Sequence, residues 1–479
     1  MREFDAFHLP GLFDGVDLLD PRDTAIADFE VRVYPAGEAT VTLRWPILTP
    51  SAVRAVADSL IVAGARALDG QPVARTLDAI DRVAARFADP ADPVRRTAEE
   101  MLPAVTGYHP RMVSAILDGM VRDWRRPALE RLLDAEVGGT APLEDFMHRA
   151  EGLRSRAFGP RLAVHIFAGN VPGVSVTAMV RSLLVRAATL GKTASGEPVL
   201  APLFCRALAE ESRELGACVA ATYWPGGDTG LEAEAFANAD AIIVYGGGHA
   251  VADLRRRIPL HTRLIEHGPR ISFAAVARER LADPGAAGVA KAAARAVALF
   301  DQQGCVSPHV FYVEAGGALD AHAFAARLAG ELAALEIELP RGQVTAAESA
   351  AIHEARATAE FRGLGGDGAV LFAGNGTSYT VIFDPDPAFD ASCLNRVVRV
   401  KPLPSLEDLA PTIAPFRDVL QSAALEAPEP RRSALAAAFA AAGVTRVTTL
   451  ERLPWPPPVG HHDGRGPLRE LIRWVDLED

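Results

Sequence analysis

From Arg161 onward the chain repeats one pattern: a short apolar run, a turn carrying glycine, then a helix. Leu162-Ala-Val-His-Ile-Phe167 leads through Ala168-Gly-Asn-Val-Pro-Gly173 into an apolar helix read over 174–189. A second turn at 193–198, a helix over 201–215 and a strand over 217–223 come next. After Pro225-Gly-Gly-Asp a further helix precedes the almost wholly apolar strand Ala241-Ile-Ile-Val-Tyr245, which ends in Gly246-Gly-Gly248. Strands that are apolar on both faces and alternate with helices fit a parallel sheet covered on both sides. Ligands are then received at the carboxyl ends of its strands. The expected fold class is α/β. The strict G-x-G-x-x-G fingerprint is absent, and Gly246 to Gly248 alone decide little, because glycines also end strands for steric reasons.

Ahead of this region, Phe29-Glu-Val-Arg-Val-Tyr34 and Thr40-Val-Thr-Leu-Arg-Trp45 flank Pro35-Ala-Gly-Glu in a hairpin pattern. A helix follows Thr49-Pro50, with Ser51 read as its cap and Val53, Val56 and Leu60 on its apolar face. Leu77, Ile80, Ala84 and Phe87 repeat the helical period, as do Ile116, Leu117, Met120, Val121 and Trp124, so this block is a set of amphipathic helices that must pack on something larger. Arg122, Arg125 and Arg126 read as solvated surface. Later in the chain, helices are expected around Phe324, Leu328, Leu332 and Leu335, over 345–361 and over 405–420. Strands are expected over 369–372, 379–383 and 397–400. The proline-rich run from Leu453 to Arg465 is expected to wrap over a surface without regular structure.

The net charge of −12 argues against nucleic acid or an anionic membrane as the main partner, while leaving room for a local basic patch that takes a phosphorylated ligand. Met1-Arg-Glu-Phe-Asp carries acids where a signal peptide has a basic region and an apolar stretch, and no membrane-spanning run follows. The four cysteines, Cys205, Cys218, Cys305 and Cys393, show no C-x-x-C spacing. A reduced, cytoplasmic protein without disulfides or structural zinc is the expectation.

Cys305 sits between two segments of opposite grammar. Residues 288–300 are rich in alanine and free of proline, hence helical, and His309-Val-Phe-Tyr-Val313 is β-prone. In the intervening Asp301-Gln-Gln-Gly-Cys-Val-Ser-Pro308, a cysteine directly after glycine can expose its thiol and leave its backbone N–H available. A thiolate nucleophile and an oxyanion donor need that geometry. Taken alone, Cys305 also fits the commoner fate of a cysteine, that of a small buried hydrophobe. His461 and His462 are adjacent and have one Asp beside them, which does not make a spaced ligand set. No metal is expected there, and a hydrogen-bonding or substrate-pocket role is.

Read together, four stretches resemble the aldehyde dehydrogenase superfamily, specifically its LuxC-like fatty acyl-CoA reductase branch. Phe300-Asp-Gln-Gln-Gly-Cys305-Val-Ser-Pro is similar to the catalytic-cysteine motif, and Phe167-Ala-Gly-Asn170-Val-Pro-Gly to the strand-end asparagine motif. Thr189-Leu-Gly-Lys192-Thr-Ala-Ser resembles the cofactor-lysine stretch, and Val244-Tyr-Gly-Gly-Gly-His the glycine turn near the cofactor. His462-Asp-Gly-Arg with Ile472-Arg-Trp resembles the end of the reductase branch, so that the likeness spans roughly residues 70–479. Two departures stand out. Leu394-Asn395-Arg396 replaces the E-x-F motif whose glutamate holds the nicotinamide ribose, and the glutamate motif is kept only in part, as Ile265-Glu266-His-Gly268.

The resemblance implies an aldehyde-dehydrogenase-like fold with two parallel-sheet domains. Its divisions would be a hairpin and helical block over 1–160, a Rossmann-like NADP-binding domain over 161–276, a catalytic domain over 277–452 and an extended tail over 453–479. It implies NADPH as cofactor, acyl-CoA or another acyl thioester as substrate, an acyl-donating protein as a candidate partner, and a homo-oligomer. Cys305, Asn170 and Glu266 become the catalytic candidates. Phe167, Ala168, Lys192, Ser195, Gly246, Gly247 and Gly248 become the cofactor-binding ones, and His461 and His462 are placed at the substrate pocket. The chemistry has its own logic: a protein thiolate that takes over the acyl group can hold it rigidly against a hydride donor. Two other readings use the same residues, an NAD(P)-dependent aldehyde oxidiser and a non-redox acyl-binding subunit.

Overall fold

The structure, a computed structural model, describes residues 2–10, 26–36 and 39–479. The chain divides into two units, one made of Met1–Thr106, Val113–Gly268 and Pro457–Asp479, the other of Gly107–Met112 and Pro269–Pro456. The helical block and the tail fall in the same unit as the first parallel sheet. Helix Pro50–Ala67 packs closely on that sheet: a Cβ added at Gly64 would lie 3.1 Å from the Cβ of Ala188.

The first unit is built on five parallel strands in the spatial order Arg263–His267, Ala241–Tyr245, Leu162–Ile166, Ala188–Thr193, Val219–Tyr223. The helix expected to run to Thr189 stops at Leu184. Arg186 turns the chain in the left-handed region (φ 65°), and Ala188–Thr193 is a strand with all six residues buried. A short run buried on both faces lacks the periodicity that separates strand from helix, which is why the sequence pattern merged the two. The helix expected over 201–215 breaks at Ser212, whose hydroxyl caps the short turn Arg213–Gly216. The cap of helix Pro50–Ala67 is Thr49, which accepts from Ala52 N at 3.2 Å, and not Ser51; Pro50 fills the first helical position, where its missing N–H costs nothing.

The expected hairpin is present as Ile26–Ala36 antiparallel to Ala39–Leu48, with Arg2–Asp5 added in parallel. Gly37 and Glu38 of its expected turn lie outside the described residues. A second small sheet was not foreseen. Met147–Ala150, Leu153–Phe158 and Arg473–Glu478 form an antiparallel three-stranded sheet, so that the tail ends in a strand. Its outer strands are almost wholly exposed and carry no apolar alternation for the sequence to reveal.

The second unit holds a seven-stranded sheet in the order Val370–Ala373, Thr380–Phe383, Val397–Leu403, Pro308–Glu314, Ile271–Val276, Leu420–Glu426, Arg446–Thr448. It is parallel except at the Val370–Ala373 edge. The alanine-rich helix Gly285–Ala298 packs beside Ala321–Glu338 in the core that holds Phe311, Phe324, Leu328 and Leu332. A helix was expected over 405–420. Instead three short turns end at Phe416, and Leu420 opens the strand next to the Arg446–Thr448 edge. Pro411 and Pro415 supply no N–H to sustain a longer ladder. Helix Ala346–Leu364 starts with a reciprocal capping box between Thr345 and Glu348. Among the described residues no helix is long and apolar enough to cross a membrane.

Candidate active site

Cys305 lies in the turn between helix Gly285–Ala298 and strand Pro308–Glu314, and it is the exposed member of the four cysteines. Cys205 and Cys218 are buried and Cys393 half-buried. Burial pushes the Cys218 thiol up to about 12 and also raises those of Cys205 and Cys393, which disfavours their thiolates. Arg446, pulled down to about 10 by burial, feels the Cys305 side chain as an opposing charge, while its guanidinium donates to the carbonyls of Leu453 (2.8 Å) and Arg452 (2.6 Å).

The approach to this turn is unusual. Phe300, Asp301 and Gln302 all have left-handed backbones (φ 58°, 46° and 65°), as do Leu394, Asn395 and Arg396 (67°, 57° and 61°). Each such non-glycine residue costs about 1 kcal/mol, so six must be held by their surroundings. Tyr108 Oη donates to Phe300 O at 3.0 Å. Arg396 Nε and Nη2 reach the Asp301 carboxylate at 2.9 and 2.7 Å, and Gly342 N donates to the same group at 3.0 Å. Gln302 Nε2 donates to Pro308 O and Val397 O, both at 2.8 Å, and Gln303 Nε2 donates to Asn395 Oδ1 at 3.1 Å. The stretch 394–396, which in sequence stood out only for lacking the ribose-binding glutamate, is therefore engaged with the segment leading to Cys305. Sequence reasoning missed Tyr108, Asp301 and Arg396. An Asn or Asp within each triplet was the available hint of left-handed backbone.

The remaining candidates belong to the first unit. Phe167 N donates to Lys192 O at 3.0 Å, and the Phe167 ring lies on Gly191, where a Cβ would meet it at 2.6 Å. Its side chain is thus occupied in the core, so any contact with a ligand falls to its backbone. Asn170 is exposed at the end of the turn after Leu162–Ile166. Gly169, in the same turn, brings it against the Ser195 turn: an added Cβ would lie 3.0 Å from Glu197 N and 3.1 Å from the Ala194 Cβ. Ser195 itself is exposed.

Lys192 is only 7% exposed, and no hydrogen bond or ion pair of its ammonium is found among the described residues. Burial pulls its pKa down, Glu232 partly opposes this, and Nζ sits 5.9 Å from the Tyr223 ring centre. Gly246, Gly247 and Gly248 have no left-handed backbone. A Cβ added at Gly247 or Gly248 would meet nothing within 4 Å. The fold itself therefore does not require glycine at 247 and 248, and the space there is open to a ligand.

Glu266 lies within edge strand Arg263–His267, which extends the sheet beside Ala241–Tyr245. Its carboxylate accepts from Arg255 Nε at 2.8 Å, and its carbonyl accepts from Arg465 Nη2 at 2.7 Å.

His461 is exposed, whereas His462 stacks on His267 with ring centres 3.9 Å apart and planes within 12°. His267 Nδ1 pairs with Asp463 Oδ2 at 3.0 Å. The ligand atoms of His267, His462 and Asp463 fall within 4.8 Å of one another, a grouping the sequence hid because the two histidines are far apart in it. Parallel stacked imidazoles direct their lone pairs along parallel lines and not at one point, and Arg181 and Arg465 line the same small cavity, so the arrangement is poorly made for a cation. Burial, first of all, holds His462 down to about 3, hence neutral. The cavity beside it has a volume of about 20 Å³, room for about one water, which suits hydrogen bonding and packing better than a substrate pocket.

The family described as acyl-CoA reductase (LuxC) matches residues 68–474. The chain is 24% identical over 395 residues to the long-chain acyl-protein thioester reductase of Vibrio harveyi, covering 80% of this chain and 78% of that protein. It is 25% identical over 358 residues to the protein of the same description from Aliivibrio fischeri, covering 74% and 71%. Among solved structures it is similar to a variant of aldehyde dehydrogenase C from Pseudomonas syringae complexed with NAD+ and octanal, with a TM-score of 0.70 at 15% identity over 94% of this chain and 93% of that one. An NAD-dependent benzaldehyde dehydrogenase from Corynebacterium glutamicum gives a TM-score of 0.69 at 15% identity over 94% and 95%. At such identities the structural likeness is one of fold, and that fold is aldehyde-dehydrogenase-like.

Proposed function

The chain belongs to the acyl-CoA reductase (LuxC) family, and on that premise we propose that it reduces a fatty acyl thioester to the aldehyde with NADPH, through an acyl-enzyme on Cys305. The observation that carries this reading is the exposed Cys305 thiol on a turn whose preceding residues are held by buried polar contacts. The Cys305 thiolate attacks the thioester carbonyl, a carbon–sulfur bond forms, and the donor thiol leaves. The resemblance to the family's motifs assigns the Asn170 amide and the Cys305 backbone N–H as donors to the negative charge on the carbonyl oxygen, each contributing about 3 kcal/mol when aimed in advance. When bound, a reduced nicotinamide nucleotide supplies the hydride. The resulting Cys305 thiohemiacetal collapses to aldehyde and thiolate, which readies the protein for another acyl group.

The cofactor roles rest on Lys192, Ser195, the Gly246–Gly248 turn and the backbone at Phe167 and Ala168. The Lys192 ammonium, which has no hydrogen bond or ion pair among the described residues, and the open space at Gly247 and Gly248 fit an anionic nucleotide. The donor thioester is acyl-CoA or, as the names of the relatives suggest, an acyl-protein. Incubating the protein with a long-chain acyl-CoA and NADPH while following cofactor absorbance and trapping aldehyde tests the proposal. Cofactor consumption matched by aldehyde is the expected result, and the absence of both would leave the non-redox binding reading. The oxidative alternative needs a general base to activate water, for which Glu266 is the candidate. Its carboxylate is engaged by Arg255, and this favours reduction.

Asn170→Ala is expected to slow reduction about a hundredfold in a folded protein, as when one oxyanion donor is lost. A change confined to substrate affinity would show that Asn170 only shapes its turn. Lys192→Ala is expected to raise the Michaelis constant for NADPH while leaving that for the acyl substrate nearly unchanged. Steady-state kinetics with each substrate varied in turn would reveal a merely structural role as equal effects on both.

A further inference from the structure

Ser272 occupies a break in the central sheet of the second unit. The register of Ile271–Val276 shifts against Pro308–Glu314 between Ser272 and Ala274, and against Leu420–Glu426 between Ile271 and Phe273. Its partner across the first of these ladders is Pro308, which has no N–H to donate. The hydroxyl fills the gap. Ser272 Oγ accepts from Ser422 N at 3.1 Å and donates to Cys305 O at 2.7 Å, on a residue with no exposed surface. The direction of both bonds is fixed, since a backbone N–H can only donate and a carbonyl can only accept, so the one hydroxyl proton belongs to the Cys305 carbonyl.

We propose that Ser272 is the positioning residue of the nucleophile, tying the Cys305 carbonyl to the neighbouring strand and so fixing the backbone from which the thiol and its N–H project. The other restraints act on either side of Cys305. Ser307 N closes the turn onto Gly304 O at 2.9 Å, and Gln302 anchors the approach through Pro308 O and Val397 O. Neither holds the carbonyl of Cys305, and Ser272 does. A rigid sheet thereby sets the orientation of an exposed cysteine on an otherwise largely buried turn, and orientation is what an attack on a thioester carbonyl needs, since misplacement by about 1 Å costs about a hundredfold in rate.

The proposal rests on Cys305 being the nucleophile, and its test keeps the two apart. Two rates are measured on the full chain: single-turnover acylation of Cys305 by labelled acyl-CoA, which needs oriented attack, and alkylation of Cys305 by iodoacetamide, which needs only an accessible thiolate. In Ser272→Ala, acylation is expected to fall at least tenfold while alkylation changes less than threefold and the Michaelis constant for NADPH stays put. Ser272→Cys, which keeps the volume but donates weakly, should show the same split, and Ser272→Thr, which keeps the hydroxyl, should restore acylation. Acylation at the wild-type rate in Ser272→Ala overturns the proposal, as does a parallel loss of both reactions with the folded circular dichroism signal, which would mark a purely structural residue. If the wild-type chain is alkylated at Cys305 but never acylated there, the nucleophile assignment itself fails.

Discussion

Cys305→Ala is expected to abolish both acylation of the protein by labelled acyl-CoA and reduction of the acyl group, with folding intact. The expectation follows from exposure: Cys205 and Cys218 have no accessible surface, and burial holds their thiols in the protonated form. Loss of a covalent nucleophile removes the first bond-forming step, so the effect is an absence of product and not a shift in affinity. Mass spectrometry of the intact chain after mixing with acyl-CoA measures it directly. An acyl adduct that persists on the variant would refute the assignment, and the half-buried Cys393 would be the next cysteine to replace.

Arg396→Ala should lower the stability of the second unit by about 3–5 kcal/mol, the usual consequence of removing one partner of a buried ion pair. Arg396 has no exposed surface, and it serves Asp301, Glu336 Oε2 (2.7 Å) and Leu339 O (3.0 Å) at once. The substitution also leaves alanine at φ 61°, which glycine tolerates far better. Trp455 packs edge-on against Phe300 with ring centres 5.2 Å apart and is the one tryptophan of this unit. Urea unfolding followed by tryptophan emission, with Trp455→Phe subtracted as background, reports on the region concerned. A wild-type midpoint would mean that the left-handed triplets hold themselves without the ion pair.

How far the chain could be read depended on whether the information was local. Ala241–Tyr245 and Cys305 between a helix and a strand were legible because apolar runs, alanine content and a glycine sit side by side in sequence. Ala188–Thr193 was not, since burial on both faces erases the period on which such reading relies. Asp301 alone hinted at left-handed backbone in the run from Phe300 to Gln302, because what holds the run comes from Tyr108, Arg396 and Val397, far off in the chain. The same reason hid the stacking of His462 on His267, and the hydroxyl of Ser272 beneath Cys305.

The interrupted path of the first unit has a consequence for how the protein is made. Leu153–Phe158 is paired on one side by Arg473–Glu478, and the carboxylate of Glu136 accepts from Leu468 N (3.3 Å) and Arg469 N (3.2 Å). Those partners leave the ribosome about 300 residues later, which at about 5–20 residues per second is a delay of about 15–60 s. Throughout it the nascent first unit carries an unpaired strand edge, the kind of surface that invites pairing with another chain. The second unit draws almost all its residues from the continuous stretch Pro269–Pro456 and so has its sequence complete first. Slowing translation after Pro456, or trimming residues 457–479, should therefore be felt as aggregation of the first unit, even though Cys305 belongs to the second.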